Sequence, residues 1–456
     1  MFQWLKNNPN CNIKTRFYRG ISYFCYMYRK LFLLLLPFVF IYACSKEGDT
    51  YSPQVSISSP FENQLFAVDD IINVKANVCD DRKLEYVSVK LLNDDMTPVS
   101  ASQTVYPENN CTDINLDLNF ENVLLPTGTY YVLVSASDGV NVANEFRKIS
   151  IKGLDKKLKF VLVLTKNDGT VTINKIDSLN NVTQVKTVTT DYCGAAVSSD
   201  AQQFYLAGRY TGDVSVFSMY DWQPQWNVPI IVNPPFPYFE AIDVYNSYLY
   251  VSYREGMFHI YNESGNIVAS HVIENGEYPQ VFLPVKNYLV TYEVSPGSSQ
   301  KHLMAYFVPS FSTYKKIPVT YEILKIFPMS EDECLLFCND GDQSVIKLFS
   351  LVTGSVTDMY YFTSGLFTDV TQMESTQFLF SSETAIWHFS YDYKGFSLWI
   401  DAQNPQNLVF DETEGCYYFS ENYLNLVKKR FWPSETIGLY SFQDTIIDIL
   451  SVYNRD

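Results

Sequence analysis

The sequence predicts an all-β fold, a small two-sheet sandwich followed by a closed ring of seven four-stranded repeats, and three observations predict it. Aromatics make up 16% of the 456 residues, with 35 Tyr and 32 Phe, side chains that suit pleated, half-buried strands. Short alternating apolar runs recur at intervals of roughly ten residues, separated by polar turns. From Leu158 onward one strand–turn–strand unit recurs seven times over 299 residues, about 43 each, the length of a four-stranded blade.

The chain opens with an address. Arg29 and Lys30 are basic, Leu31 to Tyr42 is an apolar run of twelve residues, and Ala43-Cys44 follows. Twelve residues fall short of the roughly 20 that cross a bilayer. A basic start, an apolar core and a small residue before a cysteine read as a lipoprotein signal over residues 1–44, with Met27 as its expected initiator and Cys44 as the acylated residue. Ser45-Lys46-Glu47-Gly48-Asp49 resembles the Lys/acidic tags that send lipoproteins of gut-type Gram-negative anaerobes to the outer face of the outer membrane. Residues 45–51 are then a tether, and the first expected partner is the outer membrane, through the acyl chains of Cys44.

Residues 1–44 hold six of the 33 Lys/Arg and none of the 50 acids, so the remainder carries 27 basic against 50 acidic residues, a net of −23. Nucleic acid and anionic lipid headgroups recruit basic patches, so no nucleic-acid partner is expected. Six cysteines follow Cys44, none in a CxxC pair. Cys79 and Cys111 share the first module and are the candidate disulfide in an oxidising compartment.

Residues 52–152 give PQVSISSP, DDIINVKANVCD, LEYVSVKLLND, INLDLNF and GTYYVLVSASDG, alternating strands with turns at sandwich spacing. The PxVxIxxP opening and the late GTYYVLVSASDG resemble the Ig-like, PKD-like and cadherin-like modules found beside the lipid anchors of bacterial surface proteins. That resemblance implies a spacer. Asp80, Asp81 and Asp138 read as solvated turn carboxylates. Residues 153–157 break the pattern and mark a linker.

The seven recurrences over 158–456 are FVLVLTKNDGTVTINKI, FYLAGRYTGDVSVFSMY, YLYVSYREGMFHIYN, YLVTYEVSPGSSQKHLMAYF, CLLFCNDGDQSVIKLFS, FLFSSETAIWHFSY and CYYFSENYLNLVKKRF. The first lacks a preceding apolar strand, and Thr445 to Asp456, TIIDILSVYNRD, is similar to AIDVYNSY of the third. The C-terminus is therefore expected to close the first blade, which removes the edges an open stack would expose. The resemblance is to seven-bladed β-propellers of WD40-like architecture, in period only. Trp-Asp blade ends, Kelch double glycines and Asp-boxes are missing, so no family's function carries over.

In a propeller the turn between the second and third strands of each blade opens on the mouth. Those turns place Arg209, Tyr210, Arg254, Glu255, Glu293, Asp340, Glu383, Glu421 and Tyr423 as candidate ligand-binding residues. Guanidinium forks suit carboxylates, and Tyr210, Tyr238 and Tyr423 offer flat faces to sugar rings. No paired acids, His cluster, GxSxG, P-loop or HExxH stands at diagnostic spacing. His259 and His388, in matching third strands, read as satisfied sheet histidines. The expectation is a monomeric, noncatalytic binding module for a glycan, a peptide or a neighbouring surface protein complex, with no cofactor and no metal. A carbohydrate-active hydrolase or lyase and a structural or adhesive component are the alternatives.

Overall fold

A computed structural model describes residues 50–454, less 95, 97, 120–124, 231–236, 298, 309, 422–424 and 432–435. The lipidation position Cys44 and Tyr423 lie outside the described residues. Among those residues all regular structure is β apart from one 3-10 turn, Glu274–Gly276, and no helix is long and apolar enough to cross a membrane. The chain divides into two compact units, one ending at Lys152 and the other running from Gly153.

The first unit has a three-stranded sheet, in spatial order Gln54–Ser59, Ile72–Cys79, Cys111–Leu118, and a five-stranded sheet, in order Gln64–Ala67, Val142–Lys152, Gly128–Ser137, Tyr86–Asn93, Gln103–Val105. Alternation sets which side chains are buried. In Ile72–Cys79 the residues Ile72, Val74, Ala76 and Val78 face inward while Lys75 and Asn77 face out, as a strand with one wet face requires. Cys79 lies directly opposite Cys111 in the ladder, and the two are joined as a disulfide. Asp138 accepts the Val140 and Asn141 amides at 2.6 Å each, and Asp80 accepts Arg82 N at 2.9 Å, so both carboxylates hold turns.

The second unit holds seven four-stranded antiparallel sheets, the blades. Blade 1 joins Lys157–Asn167, Thr170–Asp177 and Val182–Thr189 to the C-terminal strand Thr445–Asn454, which is its innermost. Blades 2 to 7 follow in order, with inner strands Tyr192–Ser198, Phe239–Tyr245, Tyr278–Val285, Glu322–Pro328, Asp369–Glu374 and Pro405–Asp411. Thr445–Asn454 pairs with Lys157–Lys166, Ile449 opposite Val163. It is packed on both sides: Ile446 and Ile449 join Val161, Cys416 and Tyr418, while Val452 joins Phe160, Phe204 and Leu206.

Second strands read as unbroken apolar runs because neighbouring blades cover both their faces. Phe204 to Ala207, Leu335 to Phe337, Phe378 to Phe380 and Tyr417 to Phe419 are all buried, as strands covered on two sides are. Fourth strands are wet edges and carry polar residues, as in Val182–Thr189. Burial of this kind contributes about 1.5–3 kcal/mol per large apolar side chain. Phe337 illustrates it, with Phe378 at 5.3 Å and Phe367 at 5.5 Å between ring centroids.

The blades share a backbone device. In every blade the register shifts by a bulge between first and second strands and again between third and fourth. Second and third strands pair without a shift in all seven. Bulges increase local twist, so each blade is wound at its inner and outer ladders around a regular centre.

Three aspartates clasp inner strands to one another. Asp448 of blade 1, Asp243 of blade 3 and Asp369 of blade 6 each accept, on Oδ1, the amide of the next residue at 2.8–2.9 Å. The other oxygen reaches across. Asp448 Oδ2 accepts from Tyr192 of blade 2 at 2.7 Å, and Asp369 Oδ2 from Leu408 N of blade 7 at 2.7 Å. Asp243 Oδ2 lies 2.8 Å from the Tyr245 hydroxyl, which also sits 2.6 Å from the Phe282 carbonyl of blade 4. These carboxylates line the central channel and are partly exposed to it, yet protein surrounds them. Burial raises the pKa of Asp243 and Asp369 and pushes Asp448 up to about 6.

Candidate functional site

The turns between second and third strands gather on one end of the ring, and three groupings form there. In blade 2 the turn is built around Asp191, whose carboxylate accepts the amides of Arg209 and Thr211 at 3.1 Å and of Gly212 at 2.9 Å, and also that of Tyr210. Burial works against the charge on Asp191, but these N–H groups outweigh it and hold its pKa below the usual carboxylate value. Gly208 is required here: a Cβ on it would lie 2.3 Å from Gly212 Cα. The nest leaves Arg209 and Tyr210 about half exposed.

Arg209 and Arg254 do sit on adjacent blades, but both point at Glu240, a residue sequence reasoning passed over. Arg254 Nη1 lies 2.7 Å from Glu240 Oε1 and Arg209 Nη2 3.3 Å from Oε2, and the Glu240 side chain is only 2% exposed. Arg254 also lies over the Tyr278 ring, 4.4 Å from its centroid. The arginine pair therefore already has a carboxylate between its members. Tyr238 is buried against Phe239 and Tyr253, so only Tyr210 offers an aromatic face among the described residues named as stacking platforms.

Blade 4 corrects the placement of Glu293. It lies inside a strand, one residue before its end, instead of on a turn, and it is fully buried. Its Oε1 accepts from the Thr291 and Tyr306 hydroxyls at 2.7 Å each, while Oε2 has no hydrogen-bond partner. Burial pushes its pKa up to about 7, with the Glu277 charge adding to the rise and the two hydroxyls and Lys316 opposing it. Glu277 is held separately, by Lys316 Nζ at 3.2 Å and the Ser295 hydroxyl at 3.3 Å.

Between blades 6 and 7 two predicted residues do meet. Glu383 and Glu421 line an open bowl of about 850 Å³ with Thr384, Asp401, Gln403, Asn404 and Lys428. The connection carrying Gln403 is pinned by Ala402 N to Thr384 O at 3.1 Å and by Asn404 N to Glu383 O at 2.8 Å. At the base, Lys428 Nζ donates to Glu421 Oε1 at 2.8 Å. Glu383 and Asp401 are exposed at the rim. Glu255 is exposed on its turn in blade 3, and Asp340 is exposed as the last residue of its strand in blade 5.

The third-strand histidines are satisfied: His259 Nδ1 lies 3.1 Å from the Tyr261 hydroxyl and His388 Nε2 2.8 Å from Gln377 Oε1. Asp411, Glu414 and Cys416 converge within 4.8 Å. Protein donors already occupy them, Lys429 Nζ on Glu414 at 2.6 Å and Thr413 on Asp411 at 2.8 Å.

No protein-family model and no curated protein matches the sequence. Among solved structures, a protein from Lactobacillus plantarum is 10% identical over 65% of this chain and 100% of that chain, with a TM-score of 0.51. A putative 6-phosphogluconolactonase from Bacteroides fragilis is 11% identical over 64% and 97%, with a TM-score of 0.47. A quinoprotein alcohol dehydrogenase-like protein from Bacteroides thetaiotaomicron is 11% identical over 87% and 96%, with a TM-score of 0.42. Likeness at such identity speaks to fold and leaves activity open. Seven successive four-stranded sheets, the first with the C-terminal strand innermost, make the second unit a β-propeller.

Proposed function

We propose that this chain is a lipid-anchored outer-membrane surface protein, acylated at Cys44, in which an Ig-like module over 52–152 spaces a noncatalytic binding propeller away from the membrane. A glycan is the ligand its mouth suits best. The bowl between blades 6 and 7 carries this reading. Its carboxylate acceptors, Glu383 and Asp401, alternate with the amides of Gln403 and Asn404 and the hydroxyl of Thr384, a set that matches vicinal sugar hydroxyls, each both donor and acceptor. The Glu421–Lys428 pair below fixes the floor. Three carboxylates in one bowl also favour a second reading, a glycoside hydrolase, since that chemistry uses paired acids.

A glycan array on the full chain, paired with a reducing-sugar assay, separates the readings. Binding lost at least tenfold in Glu383→Gln and Gln403→Ala, with no product released, supports the binding module. Product release that disappears in Glu383→Gln or Asp401→Asn establishes the hydrolase. Neither binding nor release overturns both. Metabolic labelling with radioactive palmitate, retained by the parent chain and absent from Cys44→Ala, tests the anchor.

A further inference from the structure

The seven inner strands enclose a central channel of about 730 Å³, to which every blade contributes. Four charged side chains stand on its wall: Asp448, Asp243 and Asp369, and a single cation, Lys325 of blade 5. The aspartates are committed as clasps, yet each of their oxygens accepts one hydrogen bond and has a second lone pair to offer. Lys325 is different. Among the described residues its ammonium has no hydrogen bond and no ion pair within 4 Å, and it is exposed to the channel. Burial alone would lower its pKa, but the charges of Asp369, Asp243 and Asp448, felt across the channel, outweigh this and hold it above the ordinary lysine value. The remaining lining is uncharged, including Ala195, Gln280 and Asn407.

We propose that the channel binds a small zwitterion, a molecule with one carboxylate and one ammonium group, its carboxylate on Lys325 and its ammonium toward Asp369, Asp243 and Asp448. A simple anion would satisfy Lys325 but stand in the field of three carboxylates. A simple cation would meet the carboxylates but face an unneutralised ammonium in the same confined space. Charges of like sign a few ångströms apart cost about 1 kcal/mol in water and several times that near protein, so a ligand carrying both charges in the right sense is the one that relieves both. The volume falls within the range of about 300–1,000 Å³ typical of small-molecule sites. This site is separate from the bowl on the rim, and its test does not depend on glycan binding.

Isothermal titration of the detergent-solubilised full chain with glycine, 4-aminobutyrate and 6-aminohexanoate, against butyrate and butylammonium, tests the proposal. At least one amino acid should bind ten times more tightly than both single-charge probes. Lys325→Met should lose that binding tenfold or more, Lys325→Arg should keep most of it, and Asp369→Asn should weaken it several-fold. Thermal melting of each variant confirms that it folds, and the Arg and Asn variants decide the matter if Met does not. No amino-acid binding, equal binding of butylammonium, or binding indifferent to Lys325→Met with the variant folded would overturn it.

Discussion

Glu293 of blade 4 and Glu421 of blade 7 occupy the same place in their repeats and live in opposite conditions. Each lies at the end of a second strand, Glu421 as its last residue and Glu293 as its last but one; each stands opposite an inner-strand proline, Pro279 or Pro405, and each is at most 3% exposed. Glu421 has an ammonium at 2.8 Å. Glu293 has two hydroxyls, an oxygen with no partner and a pKa near 7. The register explains the difference. Lys428 faces Phe419, two residues before Glu421, and the position facing Thr291, two residues before Glu293, is Met304. One third-strand residue thus separates an ion pair from a buried acid that is half protonated near neutrality.

Removing the cation from the paired site should have the largest effect. Lys428→Met leaves Glu421 buried without its counter-charge, and the cost should be about 2–3 kcal/mol in urea denaturation at pH 8. A cost below about 1 kcal/mol, the value of an exposed pair, would break the comparison. Next comes Glu293→Gln. A folded-state pKa near 7, above the unfolded value of 4.5, means that the contribution of this group is fully present below pH 4.5 and is lost as pH rises through 7. The amide should therefore stabilise the chain by on the order of 1–2 kcal/mol at pH 8 and by nothing at pH 4.5.

Glu240 sharpens the same contrast, because it is a buried acid with two arginines of unequal exposure, 23% for Arg254 and 48% for Arg209. Arg254→Ala should cost about 2 kcal/mol and Arg209→Ala less than about 1 kcal/mol, read by the same denaturation. The smallest effect expected is a change of titration: Met304→Lys should move the Glu293 carboxyl below 7 by about one unit, followed by carbon-13 NMR. A midpoint that stays at 7 would mean that register alone does not supply the counter-charge.

The ring was legible because a repeat is a statement about spacing. Seven strand–turn–strand units and the likeness of TIIDILSVY to AIDVYNSY need no signature residues, and the bulges shared by all seven blades show why: the common feature is a backbone shift that many side chains tolerate. The site was less legible. Glu240 lies 31 residues from Arg209 and 14 from Arg254, so no local pattern links the three. Glu293 was read outward because an acid near a turn is usually wet, whereas this one is the inward residue of the strand before it. Asp243 and Asp448 lie inside the two segments whose likeness suggested closure, Ile242-Asp243-Val244 and Ile447-Asp448-Ile449. That recurrence was a signal for the clasps. So was the recurrence of Pro-Gln at 279–280 and 405–406, each with its proline opposite a Glu of the second strand.

The strand Thr445–Asn454 has a bearing on how the molecule is made. Its partner Lys157–Asn167 precedes it by nearly the whole domain, so during synthesis the first sector must wait, one edge bare, until every other sector has left the ribosome. A late stop codon or a protease clipping the tail would not yield a slightly smaller disc; it would unseat Ile446, Ile449 and Val452 from both neighbours at once. Quality control that senses such an unsealed seam would find it in truncated copies and miss it in finished ones.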